Sequence, residues 1–297
     1  NAQGFGKTGM ITVVLGAAAN MILDPVFIFL FDMGVKGAAL ATVISQGLSA
    51  FWILRFLTGP NTILKLKKSC FRLKASRVKE IVALGMTGFT MSITNCLVQI
   101  MYNASLQKFG GDLYVGVMTI VNSVREVVSM PVSGITNSAQ PVMGYNYGAR
   151  EYGRVKKAIV FTSVSSVLYT VAMWALVHGF PEIFIRIFNR EEALVAAAVP
   201  AMQIYYFGFF MMSLQFAGQS TFVALGKAKQ SVFFSIFRKV IIVIPMIFIL
   251  PHIGGLGVNG IFMAEPISNF IGGLACYGTM MATIWPSLTK KQKEKLK

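Results

Sequence analysis

Gly34-Val35-Lys36-Gly37, with Ala41, Ile44 and Ser45 behind it, comes back as Gly257-Val258-Asn259-Gly260 with Ala264, Ile267 and Ser268 in the same places. Ahead of each turn runs an apolar stretch holding a proline, Pro25 in one copy and Pro245 in the other. Each stretch opens on Gly-Lys, at Gly6-Lys7 and at Gly226-Lys227. The offset is 220 residues for the opening pair and the proline and 223 for the turn, so a three-residue insertion separates the copies. Repetition of helical pairs at this distance points to a membrane fold built from two similar halves.

Composition places the chain in lipid, because 55% apolar residues with only 13% charged is far from the balance of a water-soluble domain. A helix needs about 20 predominantly apolar residues to cross the hydrocarbon core. Eight stretches meet that length: 8–31, 38–58, 81–108, 113–141, 158–178, 194–224, 231–251 and 257–285. The chain has no alternating ten-residue segments, which argues against a β-barrel, so all eight are read as helices.

A net charge of +16 would suggest nucleic acid in a soluble protein, but the placement of the charge says otherwise. With eight spans both termini share a side. That side collects Lys7, the eight basic residues from Arg55 to Lys79, Arg150, Arg154, Lys156 and Lys157, the pair Lys227 and Lys229, and five lysines after Thr289. The opposite loops carry Lys36, Lys108, Arg186 and Arg190, a ratio of twenty to four that puts both termini in the cytoplasm by the positive-inside rule. Charges dispersed over alternate loops do not form a nucleic-acid face, and the expected partner of the basic loops is an anionic lipid leaflet.

Several other classes find no support in the sequence. Cys70, Cys96 and Cys276 are scattered without metal spacing. Gly4-Phe5-Gly6-Lys7-Thr8 looks like the end of a phosphate-binding loop, but that loop needs a glycine five positions before Gly6, where Asn1 stands. No cluster of His, Asp or Cys on one face suggests an enzyme, and neither a cofactor nor a metal is expected. Transport driven by an ion gradient is the remaining expectation.

Polar residues inside spans cost several kcal/mol unless they face a cavity or a partner. In the span 81–108, Ser92, Asn95, Gln99 and Asn103 recur every three or four residues and so share one helix face. In 113–141 the series Asn122, Glu126, Ser129, Ser133, Asn137 and Gln140 does the same. Gln215 and Gln219, near Met211 and Met212, mark a third span, and Glu265, Ser268 and Asn269 a fourth. The long stripes are expected to converge on a central cavity. Single polar residues also serve as hydrogen-bonding glue between helices, and methionine in a membrane helix also simply packs.

Among the ionisable residues within spans, Asp24, Arg125, Glu126 and Glu265 are the functional candidates. Glu126 is the first candidate, since a desolvated carboxyl holds a proton more readily and could exchange H⁺ or Na⁺ for a cationic substrate. Arg125 is its neighbour, but consecutive helical residues point about 100° apart, so the alternative is a salt bridge from Glu126 to another helix. Asp24 precedes Pro25 and has a local role open to it at the kink. Glu265 also precedes a proline, yet Thr42 holds its place in the other copy, an asymmetry that hints at function. Arg238 and Lys239 are expected to snorkel to the cytoplasmic interface, and His178 and His252 to sit at outer ends of spans.

The residues resemble the multidrug and toxic compound extrusion (MATE) transporters, in their MepA-like bacterial branch. The likeness rests on Leu23-Asp24-Pro25 with Phe27-Ile28-Phe29, on the turn from Gly34 through Ala39 into Ala41-Thr42-Val43-Ile44-Ser45-Gln46, and on Ala264-Glu265-Pro266-Ile267-Ser268. It rests most specifically on Gln140-Pro141-Val142-Met143-Gly144-Tyr145-Asn146-Tyr147-Gly148-Ala149, with Arg154-Val155-Lys156-Lys157 behind. The resemblance implies an all-α two-lobe fold of twelve helices, of which this chain would hold helices five to twelve. The first four would be encoded upstream. Residues 1–58 would be the last two helices of the first lobe, 59–79 a basic inter-lobe linker, 80–289 a six-helix second lobe, and 290–297 a basic tail.

Efflux of organic cations and drugs in exchange for Na⁺ or H⁺ is what the family implies, by alternating access of the lobes. A carboxylate in helix seven, as in the NorM-like branch, is absent from the apolar part of 81–108, and an aspartate of the first helix, used by other branches, would precede this chain. A lipid-linked saccharide flippase of the same superfamily is the alternative, though it calls for a cavity lined by Arg and Lys, and only Arg125 is near mid-span. A fragment that needs its missing helices before it transports anything is the other.

Overall fold

The computed structural model describes residues 4–60, 62, 63 and 73–296. The middle of the basic stretch 59–79, with Cys70 and four of its cations, lies outside the described residues. Two compact units are present, residues 1–78 and 79–297.

In the first unit, α1 (Gly6–Pro25) runs through Pro25 into a wide π turn, Val26–Leu30, before α2 (Gly34–Thr58) returns alongside. Proline removes a backbone donor and crowds the preceding turn, which accounts for loosening of the helix at this point. The Ser49 hydroxyl donates to the Thr12 carbonyl at 3.1 Å, and Gly16 leaves the room Ser49 occupies. Apolar side chains stand exposed around both helices, among them Val13, Met21, Phe29, Val43 and Phe51, as a membrane-embedded pair requires.

In the second unit, α3 (Ala75–Gly148) contains 61 residues of membrane character from Gly88 to Gly148. At 1.5 Å per residue that is roughly 90 Å, about three hydrocarbon thicknesses, so one straight crossing is impossible. Gly111 breaks it with φ 68° and ψ −166°, and the two arms fold back on each other as a hairpin. The Gln107 amide donates to Asp112 at 2.9 Å across the bend. Next come α4 (Tyr152–Gly179), the short α5 (Pro181–Phe188), and α6 (Glu192–Tyr206) with α7 (Phe209–Ala224), a pair bent by 47° that together form one traverse. Then α8 (Ala228–Ile236) opens into a π segment, Phe237–Val243, and closes again as α9 (Ile244–Ile249) with a 3₁₀ turn, Leu250–His252. Last, α10 (Gly257–Leu296) continues without interruption through the lysine-rich end of the chain.

Six helices among the described residues have the length and apolar content to cross a membrane, and the bent pair makes a seventh. The hairpin divides one of the six, which yields the eight traverses expected. The amphipathic α5 was not expected. Its Arg186 pairs with Glu182 at 3.7 Å and Glu192 at 3.0 Å.

Tyr102 and Leu106 from the first arm of α3, Val117 and Val121 from the second, Tyr206, Phe209, Ile247 and Phe262 fill one part of the interior of this unit. Met143, Ile159, Phe222, Phe234, Cys276 and Met280 fill another. The repeat is visible as packing. A Cβ on Gly37 would stand 2.7 Å from the Phe27 carbonyl oxygen, and one on Gly260 would stand 2.7 Å from that of Leu250. Phe27 and Leu250 are 223 residues apart, like the glycines, so the three-residue insertion lies just after the prolines. Ala41 and Ala264 are both fully buried, and so, nearly, are Ser45 and Ser268.

Candidate functional site

The hairpin of α3 brings two of the predicted stripes together. The Asn122 amide on the second arm donates to Oε1 of Gln99 on the first at 3.0 Å, and the Gln99 amide reaches Oδ1 of Asn103 at 3.5 Å. In this antiparallel register Asn95 lies near the level of Glu126. Further along, Ser129 donates to the Glu126 carbonyl at 3.2 Å, Ser133 is half-buried, and Asn137 accepts from Gln140 at 3.3 Å. Asn95, Glu126 and Asn137 are exposed, and Gln99, Asn103, Asn122 and Ser129 half-buried. The result is an open face of amides and hydroxyls with a single carboxylate.

Two expectations about that carboxylate need correction. Glu126 is not desolvated within this chain: its side chain is 67% exposed, against 20% for Arg125. Nor does its position next to Arg125 keep them apart, since Nη2 of Arg125 is 3.4 Å from Oε1 of Glu126. Two long side chains bend enough to close the angular gap between neighbours. Nε of Arg125 is buried and has no hydrogen-bond partner, so the guanidinium faces both the open side and the interior.

The interior holds a second constellation. Oε1 of Glu265 lies 3.3 Å from Nη1 of Arg238 and 3.5 Å from Nζ of Lys239, and Arg238 also donates to Asn269. Glu265 is 1% exposed, Asn269 2%, Arg238 5% and Lys239 6%. Arg238 and Lys239 therefore do not snorkel to the interface as expected. They sit in the π segment, whose wider turn lets two consecutive side chains reach one helix, and they lie against α10, where the lack of a side chain at Gly272 admits the Arg238 stem. Arg125, Tyr102 and Tyr205 are near enough to act electrostatically on Glu265. Oε2 of Glu265, Nε of Arg238 and the Tyr102 hydroxyl lack protein partners.

The remaining predicted residues join neither group. Gln219 is buried and donates to the Ser231 carbonyl at 3.2 Å, tying α7 to α8, and buried Gln215 is held where Cys276 meets its backbone. Both act inside the helix packing and not on the open face, and Met212 is core. Asp24 belongs to the first unit, where it accepts from the Asn20 amide at 3.2 Å, one turn away at the proline kink. His178 stacks on Trp174, and His252 contacts the Phe248 carbonyl at 2.8 Å.

Sequence reasoning missed Lys239, Arg238, Tyr102 and Tyr205 as a group around Glu265. A signal was present: two adjacent cations about two turns into an apolar span are costly unless a carboxylate meets them, and the next span carries a carboxylate where its repeat partner has Thr42.

Residues 88–249, more than half of the chain, match the MatE family profile. The chain belongs to the MatE family. The proteins of this family are transporters and not enzymes. The MatE chain is 25% identical over 275 residues to the multidrug export protein MepA of Staphylococcus aureus, covering 92% of this chain and 60% of that protein. To MepA of Staphylococcus saprophyticus it is 24% identical, over 90% of this chain and 58% of that one. It therefore spans about three fifths of the length of these relatives. Among solved structures it superposes on a MATE transporter in an outward-facing conformation with a TM-score of 0.87 at 21% identity, over 95% of this chain and 63% of that one. It also superposes on a MATE protein in a bent conformation at 0.87 and 20% identity, over 99% and 64%. At that identity the structures establish the fold alone.

Proposed function

We propose that the complete protein to which this chain belongs is a secondary multidrug exporter that moves organic cations out of the cell in exchange for H⁺ or Na⁺. The observation that carries this reading is Glu126, an exposed carboxylate within a membrane helix, set on a face of amides and hydroxyls. Such a face in lipid would cost several kcal/mol, so it calls for a water-filled cavity or a polar ligand in front of it. One negative charge among neutral hydrogen-bonding groups suits a bulky monovalent cation, because the amides adapt to different outlines while the carboxylate supplies the common attraction. The Staphylococcus relatives, which are multidrug export proteins, agree with that substrate class.

The two repeated helix pairs support two lobes that rock about a site near the midplane. Here 1–58 closes the first lobe, 59–79 links the lobes, 80–289 forms the second lobe and 290–297 the tail. Twenty cations on one side support a bacterial plasma membrane orientation with cytoplasmic termini against an anionic leaflet.

The deciding experiment is gradient-driven ethidium efflux from cells expressing the complete protein with Glu126→Gln. Loss of efflux at unchanged expression is expected. Undiminished efflux would remove Glu126 from the mechanism.

A further inference from the structure

Within the second unit the buried charges do not balance. Arg238 and Lys239 share a single carboxylate oxygen of Glu265, and each of the three side chains is less than a tenth exposed. Arg125 adds a third cation whose partner, Glu126, lies on the open face. Lys239 touches Glu265 on α10, and the other charged groups near enough to act on it are Arg238 on its own segment and Arg125 on the second arm of α3. Around them stand Tyr102 on the first arm and Tyr205 on α6, both neutral phenols, and the Cys276 thiol on α10. Besides Glu265, the carboxylate that acts on these groups is Glu126, through Arg125 and Tyr205.

A surplus positive charge in a dry interior is strongly unfavourable. It leaves most readily by loss of a proton. Arginine does not give up its proton, whereas a buried lysine does so readily. Arg125 is the connection to the open face, because the same guanidinium touches Glu126 and acts on Glu265.

We infer that Lys239 carries the coupling proton of this exporter, and that Arg125 links it to Glu126 so that an organic cation on the open face and the Lys239 proton exclude each other. This rests on the reading of Glu126 as the cation-binding position. When a cation takes the Glu126 carboxylate, the charge of Arg125 loses its offset and bears on the cluster. The Lys239 ammonium then gives H⁺ to water and keeps the electron pair as a neutral amine, with no other bond made or broken. Reprotonation of Lys239 reverses the sequence and expels the cation. Linkage requires both directions to have equal strength. The exchange is one monovalent cation for one proton.

The test uses the complete protein in detergent, with ethidium as the probe, a pH dye in weak buffer to count protons, and fluorescence to count bound ethidium. The expected result is about one proton released per ethidium bound, with affinity rising about tenfold per pH unit over the range in which Lys239 titrates. Lys239→Arg keeps the charge but cannot release it, so the ratio falls to about zero and the pH slope flattens. Arg125→Gln, which leaves the contacts of Arg238 and Lys239 with Glu265 in place, is expected to remove the same coupling and serves should the arginine fail to fit. Undiminished proton release in both variants, or none in the parent protein, overturns the inference while Glu126-dependent ethidium binding leaves the exporter reading standing. Ethidium binding that does not depend on Glu126 overturns both.

Discussion

Nη1 of Arg238 stands 3.3 Å from Oε1 of Glu265, with both side chains sealed from solvent. Removal of the acid alone strands two buried cations, a change that costs about 3–5 kcal/mol in comparable pairs. Glu265→Leu is therefore expected to lower the thermal midpoint of the complete protein sharply. Replacing Arg238 and Lys239 by Met in the same background is expected to restore most of that loss, because an apolar cluster of similar volume needs no charge partners. If the triple variant is as unstable as the single one, the ion pairs are not what the acid supports.

The Asn122 amide holds Gln99 at 3.0 Å on the open face, where both side chains are half-buried. Such a bond contributes only about 0.5–1.5 kcal/mol to stability. Asn95→Ala combined with Gln99→Ala should thus leave the melting point within a few degrees of the parent while changing which drugs are exported. A resistance profile that stays the same while stability falls would make these amides interhelical glue.

Gly37 and Gly260 test whether the repeat in the sequence is also a repeat of mechanical design. At each, an added methyl would lie 2.7 Å from a backbone carbonyl oxygen, which cannot swing away as a side-chain tip can. Gly37→Ala and Gly260→Ala are each expected to destabilise by about 1–3 kcal/mol. Gly278→Ala meets nothing within 4 Å and should be neutral or slightly stabilising. Equal losses at the two repeat positions, read by thermal unfolding, are the expected result.

The legible part of this fold was the part written in length and period. Eight apolar runs, a turn repeated at a fixed offset and polar residues at helical spacing led to the traverses, to the matching seats of Ala41 and Ala264, and to the Gln99–Asn122 face. What stayed hidden depended on side chains meeting across helices. Gln219 looks like a stripe residue in sequence, yet it spends its amide on the Ser231 carbonyl. Arg238 and Lys239 could reach the interface or an interior acid with equal ease by spacing alone. The π segment, which has no sequence period of its own, turns them inward. Arg125 and Glu126 were set apart by ideal helix geometry, and side-chain length joined them.

The far end of α10 is fastened to the turn between α3 and α4. Nζ of Lys291 donates to the Tyr147 hydroxyl at 2.9 Å and lies over the Tyr147 and Tyr152 rings, and Nζ of Lys295 meets Oε1 of Glu151 at 2.6 Å. The Lys295 hydrogen bond holds the Glu151 carboxyl below its ordinary value of 4.5. A carboxylate with a depressed value contributes its full share above the unfolded value and loses it as pH falls through the folded one. The last turn of α10 should accordingly stay fastened above pH 4.5 and loosen progressively below it. A nitroxide at position 293 should give a spectrum that sharpens over that acid range. Lys295→Gln removes the charge that depresses Glu151, so its spectrum should already be sharper at neutral pH and change little on acidification. Because the pair is exposed to water, salt should weaken it in the same way. The Lys291 contact, which depends on a neutral phenol and two ring faces, should keep the preceding turn in place throughout, so loosening that spread back to Tyr147 in acid would contradict this account.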